Sequence, residues 1–379
     1  MSFPLSDEPG HQDRMAMIKA WQAAVVGLGA ASPNPAVGAV VVVNDQIVAT
    51  GSHCRAGLEH AEAHALRQAG DRASGSTVYV TLEPCHHVGR QPACTDALIQ
   101  AGVKQVVYGM DDPDQRVAGQ GAQALRQAGI EVRVGVLHDA CLALNPGYLH
   151  RQRCGRPRVV LKTATTLEGA VATAAGESQW ITGPQARRFV HTLRARMASV
   201  MVGAGTARAD AVRLNVRLDG VEPWWYNGSF APHRLVVSAS GNCPAPQGGG
   251  GPNWLVGSSE IVGGFDDHVP LQENWHETLS VLADRGINEI LCEGGAGLAT
   301  SLLNAGVVDE WIQMVAPMSL KGSGYSVVGG SGVEHLDDAR RGTLAQVKQL
   351  GQDALLWTVF DDKPSFADQT DWLQRLEPK

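Results

Sequence analysis

The segment TVYVTLEPC occupies positions 77–85, and its first six residues have the β-branched and aromatic composition of a buried strand. This predicted strand leads into Glu83-Pro84-Cys85, which puts a cysteine at the edge of a sheet. Upstream, His60-Ala61-Glu62 opens a predicted helix that ends at Gly70. Downstream, Cys94 opens another predicted helix. One histidine and two cysteines therefore stand where predicted elements begin or end, a common location for functional side chains.

The pattern around this segment predicts one α/β domain over residues 1–150. Predicted helices cover 15–28, 60–69, 94–101 and 121–128, and predicted strands cover 36–43, 46–50, 77–82, 104–108 and 130–136. The basic stretch RQRCGRPR at 151–158 contains Gly and Pro without apolar periodicity, so we expect a linker there and a second domain over 151–379. Composition changes across the linker, because eight of the thirteen histidines precede it and eight of the nine tryptophans follow it. The glycine run at 248–251 is expected to form a flexible loop.

Composition excludes several classes of protein. A net charge of -7 argues against a general nucleic-acid binder, which needs a basic face. No apolar stretch approaches the roughly 20 residues of a membrane helix, and the polar N-terminus lacks the apolar core of a secretory signal, so we expect a cytoplasmic protein. Seven scattered cysteines favour reduced thiols and a metal site over disulfides. The oligomeric state stays open, and a homo-oligomer is one alternative.

The histidine and cysteine positions predict a catalytic zinc site. Zinc prefers imidazole and thiolate, and a catalytic zinc takes three protein ligands, here His60, Cys85 and Cys94. Glu62 is then a carboxylate that is not a ligand and can shuttle protons. The pattern H-x-E with P-C and a second Cys is typical of zinc nucleobase deaminases, although eight residues separate the two cysteines here instead of the common two.

Other interpretations of these residues remain open. The zinc could be purely structural, and His86 or His87 could replace a cysteine as ligand, although we favour substrate-facing positions for both histidines. His64 lies one helical turn from His60 and is interpreted as an ordinary helix-face residue.

The second domain carries weaker signals for an anionic ligand. A predicted strand, 287–292, is followed by Glu293 and a glycine-rich turn that opens a helix at 298–304. Glycines at a helix start favour a bound phosphate, but the same glycines also suit a plain tight turn. A second glycine turn, 203–206, follows an apolar run. The nearby arginines, which suit a phosphate or a solvated face, are Arg194, Arg213 and Arg217.

The motifs together resemble one family across nearly the whole chain. In the first domain they are PNPAVG at 33–38, GSH at 51–53, HAE at 60–62, YVTLEPC at 79–85, HVGRQPAC at 87–94 and VAGQG at 117–121. In the second domain they are KTATTLEG at 162–169, GESQWIT at 176–182, and EGG at 293–295. This set resembles the bifunctional riboflavin-biosynthesis deaminase/reductase family, in which the long loop between the cysteines is normal.

The resemblance implies a cytidine-deaminase-like three-layer domain followed by a dihydrofolate-reductase-like α/β domain. It implies hydrolysis of the 2-amino group of 2,5-diamino-6-(5-phosphoribosylamino)pyrimidin-4(3H)-one, then reduction of the ribosyl group to ribityl with NADPH. It assigns Zn²⁺ to His60, Cys85 and Cys94, proton transfer to Glu62, and the pyrimidine pocket to Asn34 and His53. The residues implied to contact NADPH are Ala164, Trp180, Thr206, Asp210, Gly295, Ala296, Gly297, Leu298, Ala299, Thr300 and Ser301. Those implied to contact the phosphoribosyl substrate are Ser178, Arg194, Leu214, Arg217 and Glu293.

The sequence departs from the family pattern at three places. Asp112-Pro113-Asp114-Gln115 stands where Asp-Pro-Asn-Pro is usual, and Thr166-Leu167-Glu168-Gly169 where Ser-Leu-Asp-Gly is usual. Asp210-Ala211-Val212-Arg213-Leu214 replaces Asp-Asp-Pro-x-Leu, so a turn-fixing proline is missing beside the substrate residues. Two alternatives to the bifunctional enzyme therefore remain: a deaminase whose second domain only binds or regulates, and a non-catalytic zinc scaffold.

Overall fold

The computed structural model describes residues 10–87, 91–114, 118–218, 220, 222–228, 230–257, 263–322, 324–330, 332–360 and 364–378. It divides into two compact units. The first takes its residues from Met1–Arg153, Trp224–Asn227 and Asp368–Lys379, and the second from Cys154–Pro223 and Gly228–Ala367. Parts of the family motifs at 88–90 and 115–117 lie outside the described residues. Among the described helices, none has both the length and the apolar composition that crossing a bilayer requires.

The first unit is an α/β unit built on a five-stranded sheet. Its elements are α1 His11–Ala24, β1 Gly38–Val43, β2 Gln46–Ser52, α2 Ala61–Ala69, β3 Thr77–Val80, α3 Cys94–Gln100, β4 Gln105–Tyr108, α4 Gln120–Gln127, β5 Glu131–Val134, α5 His138–Leu144 and α6 Pro146–Cys154. The strand order is β2-β1-β3-β4-β5. Strand β1 is antiparallel to both β2 and β3, whereas β3, β4 and β5 run parallel.

Two glycines let helices lie directly on this sheet. A Cβ at Gly38 of β1 would come within 2.0 Å of the Ala20 carbonyl of α1, and one at Gly51 of β2 within 2.1 Å of the Ala61 carbonyl of α2. Gly38 pairs with Ser52, and side chains alternate between the two faces along a strand. A Cβ at Gly51, the residue before Ser52, would therefore point to the face opposite that of Gly38. Helices α1 and α2 therefore cover opposite faces, which makes three layers.

The sequence-based elements agree with these within a few residues, but the connection is shorter than the linker expected at 151–158. Residues 151–154 form the last turn of α6, and only 155–157 connect α6 to the next strand. Helices α5 and α6 were not predicted. The buried Asn145 between them donates to the Ala36 carbonyl and accepts from the Ala36 N–H.

The second unit is built on a nine-stranded sheet. Its elements are β6 Arg158–Thr165, β7 Ala170–Ala172, α7 Pro184–Arg194, β8 Ser199–Gly203, α8 Ala204–Asp210, β9 His233–Ser238, β10 Asn253–Gly257, β11 Asp267–Pro270, α9 Trp275–Asp284, β12 Glu289–Cys292, α10 Ala296–Asn304, β13 Glu310–Val315, β14 Tyr325–Ser326, β15 Thr343–Leu350, β16 Asp353–Val359 and the start of α11 Phe366–Arg375. The strand order is β11-β10-β9-β8-β12-β6-β13-β16-β15.

The first seven strands in that order are parallel, and β16 and β15 complete the sheet in antiparallel fashion. Alternating residues of the central strands enter different apolar clusters: Val159 and Leu161 lie in one, and Val160 in another. The sheet is therefore buried on both faces, as parallel sheets usually are. Strands β8 and β12 are neighbours, and helices α8 and α10 begin just beyond their carboxyl ends, where open α/β sheets bind ligands.

The first unit also contains residues from distant parts of the chain. The Gln22 side chain of α1 donates to the Leu376 carbonyl, and Gln369 donates to the Leu144 carbonyl. The Trp224 indole N–H donates to the Leu373 carbonyl. Leu373 and Leu376 are only 6% and 4% exposed. Residues 368–378 thus add buried apolar side chains to this unit.

Candidate active sites

Three potential metal ligands converge in the first unit. His60 caps the start of α2, Cys85 follows β3, and Cys94 begins α3. Their ligand atoms all lie within 4.8 Å of one another. The Nδ1 atom of His60 lies 3.2 Å from Sγ of Cys94 and 3.6 Å from Sγ of Cys85. The helix starts and the strand end predicted from sequence bring these side chains together.

These residues fit zinc. Ligands at about 2.0–2.3 Å in a tetrahedron stand roughly 3.3–3.8 Å apart, close to the two separations observed. One imidazole and two thiols also form a ligand set that zinc prefers. The hydrogen bond with Cys94 lowers the pKa of the Cys85 thiol, which favours the thiolate form that binds a metal. Among the described residues, no other group of three His, Cys, Asp or Glu side chains meets the same criterion.

Glu62 lies in the first turn of α2 and is 4% exposed. Burial, followed by the neighbouring Cys85, raises the pKa of its carboxyl to about 7. A zinc ion beside it would favour the carboxylate form, so burial and the cation act in opposite directions. Glu62 is not among the three convergent ligands, which leaves its carboxyl able to hold or release a proton near neutral pH.

Asn34 and His53 lie together beside the ligand cluster. The His53 ring is 5.2 Å from the His60 ring, and burial lowers the pKa of His53. Nδ1 of His53 lies 3.0 Å from the Glu59 carbonyl, which can only accept a hydrogen bond. Nε2 of His53 therefore accepts from the Asn34 amide at 3.1 Å, which fixes both polar side chains.

The remaining histidines of this region have other partners. Nδ1 of His86 lies 2.9 Å from the Thr95 hydroxyl, and His64 accepts from the Ser52 backbone N–H and contacts Gln68. Neither joins the ligand cluster, and neither does His87. Contact of His86 and His87 with substrate stays a prediction.

Glu83 is a buried residue that the sequence analysis did not single out. Its carboxylate accepts from the backbone N–H groups of Asp112, Gly119 and Ala122, and so ties the turn before Cys85 to the start of α4. In the sequence, the indication that Glu83 matters was its position inside the Glu-Pro-Cys motif. A carboxylate that satisfies several orphan N–H groups rigidifies such a turn.

The second unit holds a buried charged cluster at the carboxyl end of the sheet. The Arg194 guanidinium forms two hydrogen bonds with the Glu293 carboxylate, at 2.5 and 3.1 Å, and Lys162 Nζ lies 3.9 Å from it. The three side chains are only 9–16% exposed. Burial alone would raise the pKa of Glu293, but Arg194 and Lys162 together lower it.

Lys162 was not predicted as a site residue. Burial lowers the pKa of its amine, and Glu293 opposes this. The signal for it was a lysine inside the apolar strand RVVLKTAT, since lysine is rarely buried without a partner.

The residues implied to hold NADPH flank the ends of neighbouring strands. The Gly295 N–H donates to the Thr206 hydroxyl at 3.1 Å, which joins the starts of α8 and α10. The Asp210 carboxylate accepts a hydrogen bond from the Gln179 side chain. Of the two neighbours of Gln179, Ser178 is half-buried and Trp180 is 64% exposed. Ala164 lies near the carboxyl end of β6, where it pairs with Met314 of β13.

This arrangement fits a pyridine dinucleotide. A Cβ at Gly205 or Gly297 would meet no atom within 4 Å, so the backbone at both helix starts is open to a phosphate. The exposed Trp180 ring has the Arg187 guanidinium at 4.6 Å and offers a flat apolar surface. Leu298 and Ala299 are instead buried in the apolar core. Thr300 and Ser301 accept hydrogen bonds from Gly329 and Trp275, respectively.

The segment carrying Leu214 and Arg217 lies beside the charged cluster. Arg194 also donates to the Asn215 carbonyl at 2.9 Å, and the Arg217 N–H donates to Nδ1 of His191. Leu214 is buried and has a φ of 51°. Burial and the adjacent Arg194 and Arg217 lower the pKa of His191 to about 4, so this ring is neutral.

Comparisons with known proteins match both units. The cytidine and deoxycytidylate deaminase zinc-binding region matches residues 11–110, and the RibD C-terminal domain matches residues 157–356. The riboflavin biosynthesis protein RibD of Escherichia coli is 40% identical over 364 residues, covering 92% of this chain and 99% of that protein. RibD of Mycobacterium tuberculosis is 39% identical over 335 residues, covering 87% and 92%.

Two solved structures agree with these matches. Acinetobacter baumannii RibD superposes with a TM-score of 0.80 at 36% identity, covering 92% of this chain and 98% of that one. The Thermotoga maritima diaminohydroxyphosphoribosylaminopyrimidine deaminase/5-amino-6-(5-phosphoribosylamino)uracil reductase has a TM-score of 0.81 at 30% identity, covering 93% and 99%. The expected fold class, a cytidine-deaminase-like domain followed by a reductase-type α/β domain, is confirmed.

Proposed function

This chain belongs to the RibD family of riboflavin biosynthesis proteins, and from that premise we propose that it catalyses two successive steps on one phosphorylated pyrimidine. The first unit deaminates 2,5-diamino-6-(5-phosphoribosylamino)pyrimidin-4(3H)-one, and the second reduces the ribosyl group of the product to ribityl with NADPH. The observation that carries the proposal is the cluster of His60, Cys85 and Cys94 with the non-ligand Glu62 buried beside it.

In the deaminase unit, His60, Cys85 and Cys94 would hold zinc, which when bound lowers the pKa of water and so supplies a nucleophile at neutral pH. Glu62 takes a proton from the attacking water and delivers it to the 2-amino group, so that the C–N bond breaks and ammonia leaves. Asn34 and His53 orient the pyrimidine ring, because their mutual hydrogen bond holds both side chains beside the ligands.

In the reductase unit, the open helix starts at Gly205 and Gly297 would hold the phosphates of NADPH, which when bound supplies hydride. The buried cluster of Lys162, Arg194 and Glu293 orients the sugar, which reacts in its ring-opened imine form. Arg217 and Arg194 supply local positive charge for the substrate phosphate in a chain of net charge -7.

The two alternatives have less support. A deaminase with a non-reducing second domain was suggested by Ala211-Val212-Arg213, but the RibD C-terminal model matches across this segment and the cluster around Glu293 is intact. A purely structural zinc site has no use for a buried carboxyl group that is not a ligand, and Glu62 is one.

One assay tests both activities. Purified protein is incubated with the diaminopyrimidine phosphoriboside, with and without NADPH, and products are followed by mass spectrometry. We expect a gain of about one mass unit from deamination. On adding NADPH we expect a further gain of about two mass units from reduction. Deamination without the second gain would reject the reductase, and unchanged substrate would reject the deaminase.

A further inference from the structure

Arg234 lies on β9 of the second unit, and its side chain is enclosed by backbone carbonyls. Its Nη1 atom donates to the carbonyls of Arg213, Gln247 and Gly248 at 3.1–3.2 Å, and its Nε donates to the Gly251 carbonyl at 3.0 Å. The residue is only 5% exposed. A single buried guanidinium therefore connects two stretches of irregular backbone.

One of these stretches is the segment in which the proline of the family pattern is missing. Residues 211–218 form no helix or strand, and Ala211 and Leu214 have φ values of 42° and 51°. Such left-handed conformations are unfavourable for residues other than glycine, so surrounding contacts must hold them. Arg234 donates a hydrogen bond to the carbonyl of Arg213, the residue directly before Leu214. The Gln247 N–H also donates to the Val212 carbonyl at 3.0 Å.

The other stretch is the glycine run at 248–251, which lies in the loop between β9 and β10. The carbonyls of Gly248 and Gly251 accept from Arg234. A Cβ at Gly250 would lie 3.1 Å from Cζ of Arg234, and one at Gly251 would lie 2.1 Å from the Pro232 carbonyl. The absence of side chains thus lets this backbone close around the guanidinium.

We propose that Arg234 is a positioning residue of the reductase, which holds the segment 211–217 in the shape that presents Arg217 to the substrate. The proposal rests on the reductase function proposed above. A proline would restrict the backbone of this segment by fixing its own φ. In its absence, hydrogen bonds from the Arg234 side chain on β9 restrict the segment instead. Thr206 and Asp210 precede this segment in the ordered helix α8, so their placement depends less on Arg234.

The test compares Arg234→Met and Arg234→Lys with the wild-type chain in steady-state kinetics. Methionine keeps the length of the side chain and removes every donor, whereas lysine keeps the charge and one donor group. We expect Arg234→Met to raise the reductase KM for the deaminated substrate on the order of tenfold, with Arg234→Lys in between. The KM for NADPH and the deaminase kcat/KM should stay within about twofold of wild type.

Arg285→Met is the matched control, because Arg285 forms an exposed ion pair with Asp267 at the edge of the same sheet. It should leave all constants unchanged. An unchanged substrate KM in Arg234→Met would overturn the proposal, as would an equal rise in the KM for NADPH. Absence of reduction by the wild-type chain would instead reject the proposed function itself.

A pair of glycine variants tests the same contact from the loop. Gly250→Ala places a methyl group against the guanidinium, whereas a Cβ at Gly249 would meet no atom within 4 Å. We expect Gly250→Ala to raise the substrate KM about threefold and Gly249→Ala to leave it unchanged, since the first displaces hydrogen bonds of Arg234. Equal behaviour of the two variants contradicts the assignment.

Discussion

At the scale of single residues, the metal ligands and Glu62 were predictable because their chemistry is specific. Imidazole, thiol and carboxyl groups at the edges of predicted elements have few common uses in combination. Lys162 and Asn145 were not predictable in the same way, because their roles depend on contacts across the fold. Lys162 of β6 lies near Glu293, which directly follows β12, and Asn145 hydrogen-bonds with the backbone of Ala36, 109 residues away.

Glu62→Gln should abolish most deaminase activity while leaving zinc bound. The amide is nearly isosteric with the carboxyl group but cannot transfer the proton, and general acid–base catalysis contributes roughly 10²–10⁴-fold to rate. Ammonia release measures the loss, and elemental analysis measures zinc.

Reduction of the deaminated substrate by the same preparation is the control, and it should be unchanged. Ammonia release at the wild-type rate would refute the role of Glu62 in proton transfer.

At the scale of elements, the periodic strands and helices of the first unit were found from sequence, whereas α5, α6 and most elements of the second unit were not predicted. Helix α6 ends in the basic stretch RQRC, which shows no apolar stripe, yet the structure buries its first half, including Tyr148 and His150. Tertiary packing stabilises a helix that local pattern does not indicate. The loop after β4 also depends on contacts across the fold, since its buried Asp112 accepts a hydrogen bond from Tyr148 of α6.

Asp112 in that loop should make stability depend on pH. Burial raises the pKa of its carboxyl to about 6 from the ordinary 3.8. The folded state thus holds this proton more tightly than the unfolded state, so stability falls as the pH rises from about 4 to about 6. Oδ1 of Asp112 accepts from Tyr148 and from the Asp114 N–H, and an asparagine oxygen can accept both bonds.

Asp112→Asn is therefore expected to raise the free energy of unfolding by about 1–3 kcal/mol at pH 7 and to give no gain at pH 4. Thermal unfolding of both proteins across this pH range measures the difference. A loss of stability in the variant at pH 7 would show that the folded protein uses the carboxylate charge.

At the scale of the whole molecule, the domain order was predictable from the two sets of motifs, whereas the path of the chain was not. Pattern analysis assigns contiguous segments to domains. The first unit, however, includes Trp224–Asn227 and the residues from Asp368 onward. Nothing in the local sequence of the segment from Asp368 onward indicates that its hydrogen-bond partners are Gln22 and Leu144 in the first 150 residues.

Truncation after Ala367 should therefore destabilise the first unit. Removing the buried Leu373 and Leu376 side chains alone is expected to cost about 3–5 kcal/mol. Thermal unfolding should show a lower melting temperature for the deaminase unit. The truncated chain should still reduce the deaminated substrate. Leu373→Ala should show part of the loss, and the exposed neighbour Gln374→Ala should show none. Equal melting of the truncated and full chains would contradict this role.

The same segment sets an order of events during synthesis. Domains generally fold from the N-terminus as the ribosome delivers them. Here the deaminase half emerges first. Residues 368–378, which hydrogen-bond with α1 and α5, are translated only after the entire reductase half. Until then the nascent deaminase lacks the hydrogen bonds and buried side chains of residues 368–378, so we expect its packing to be completed only after the reductase half has been translated.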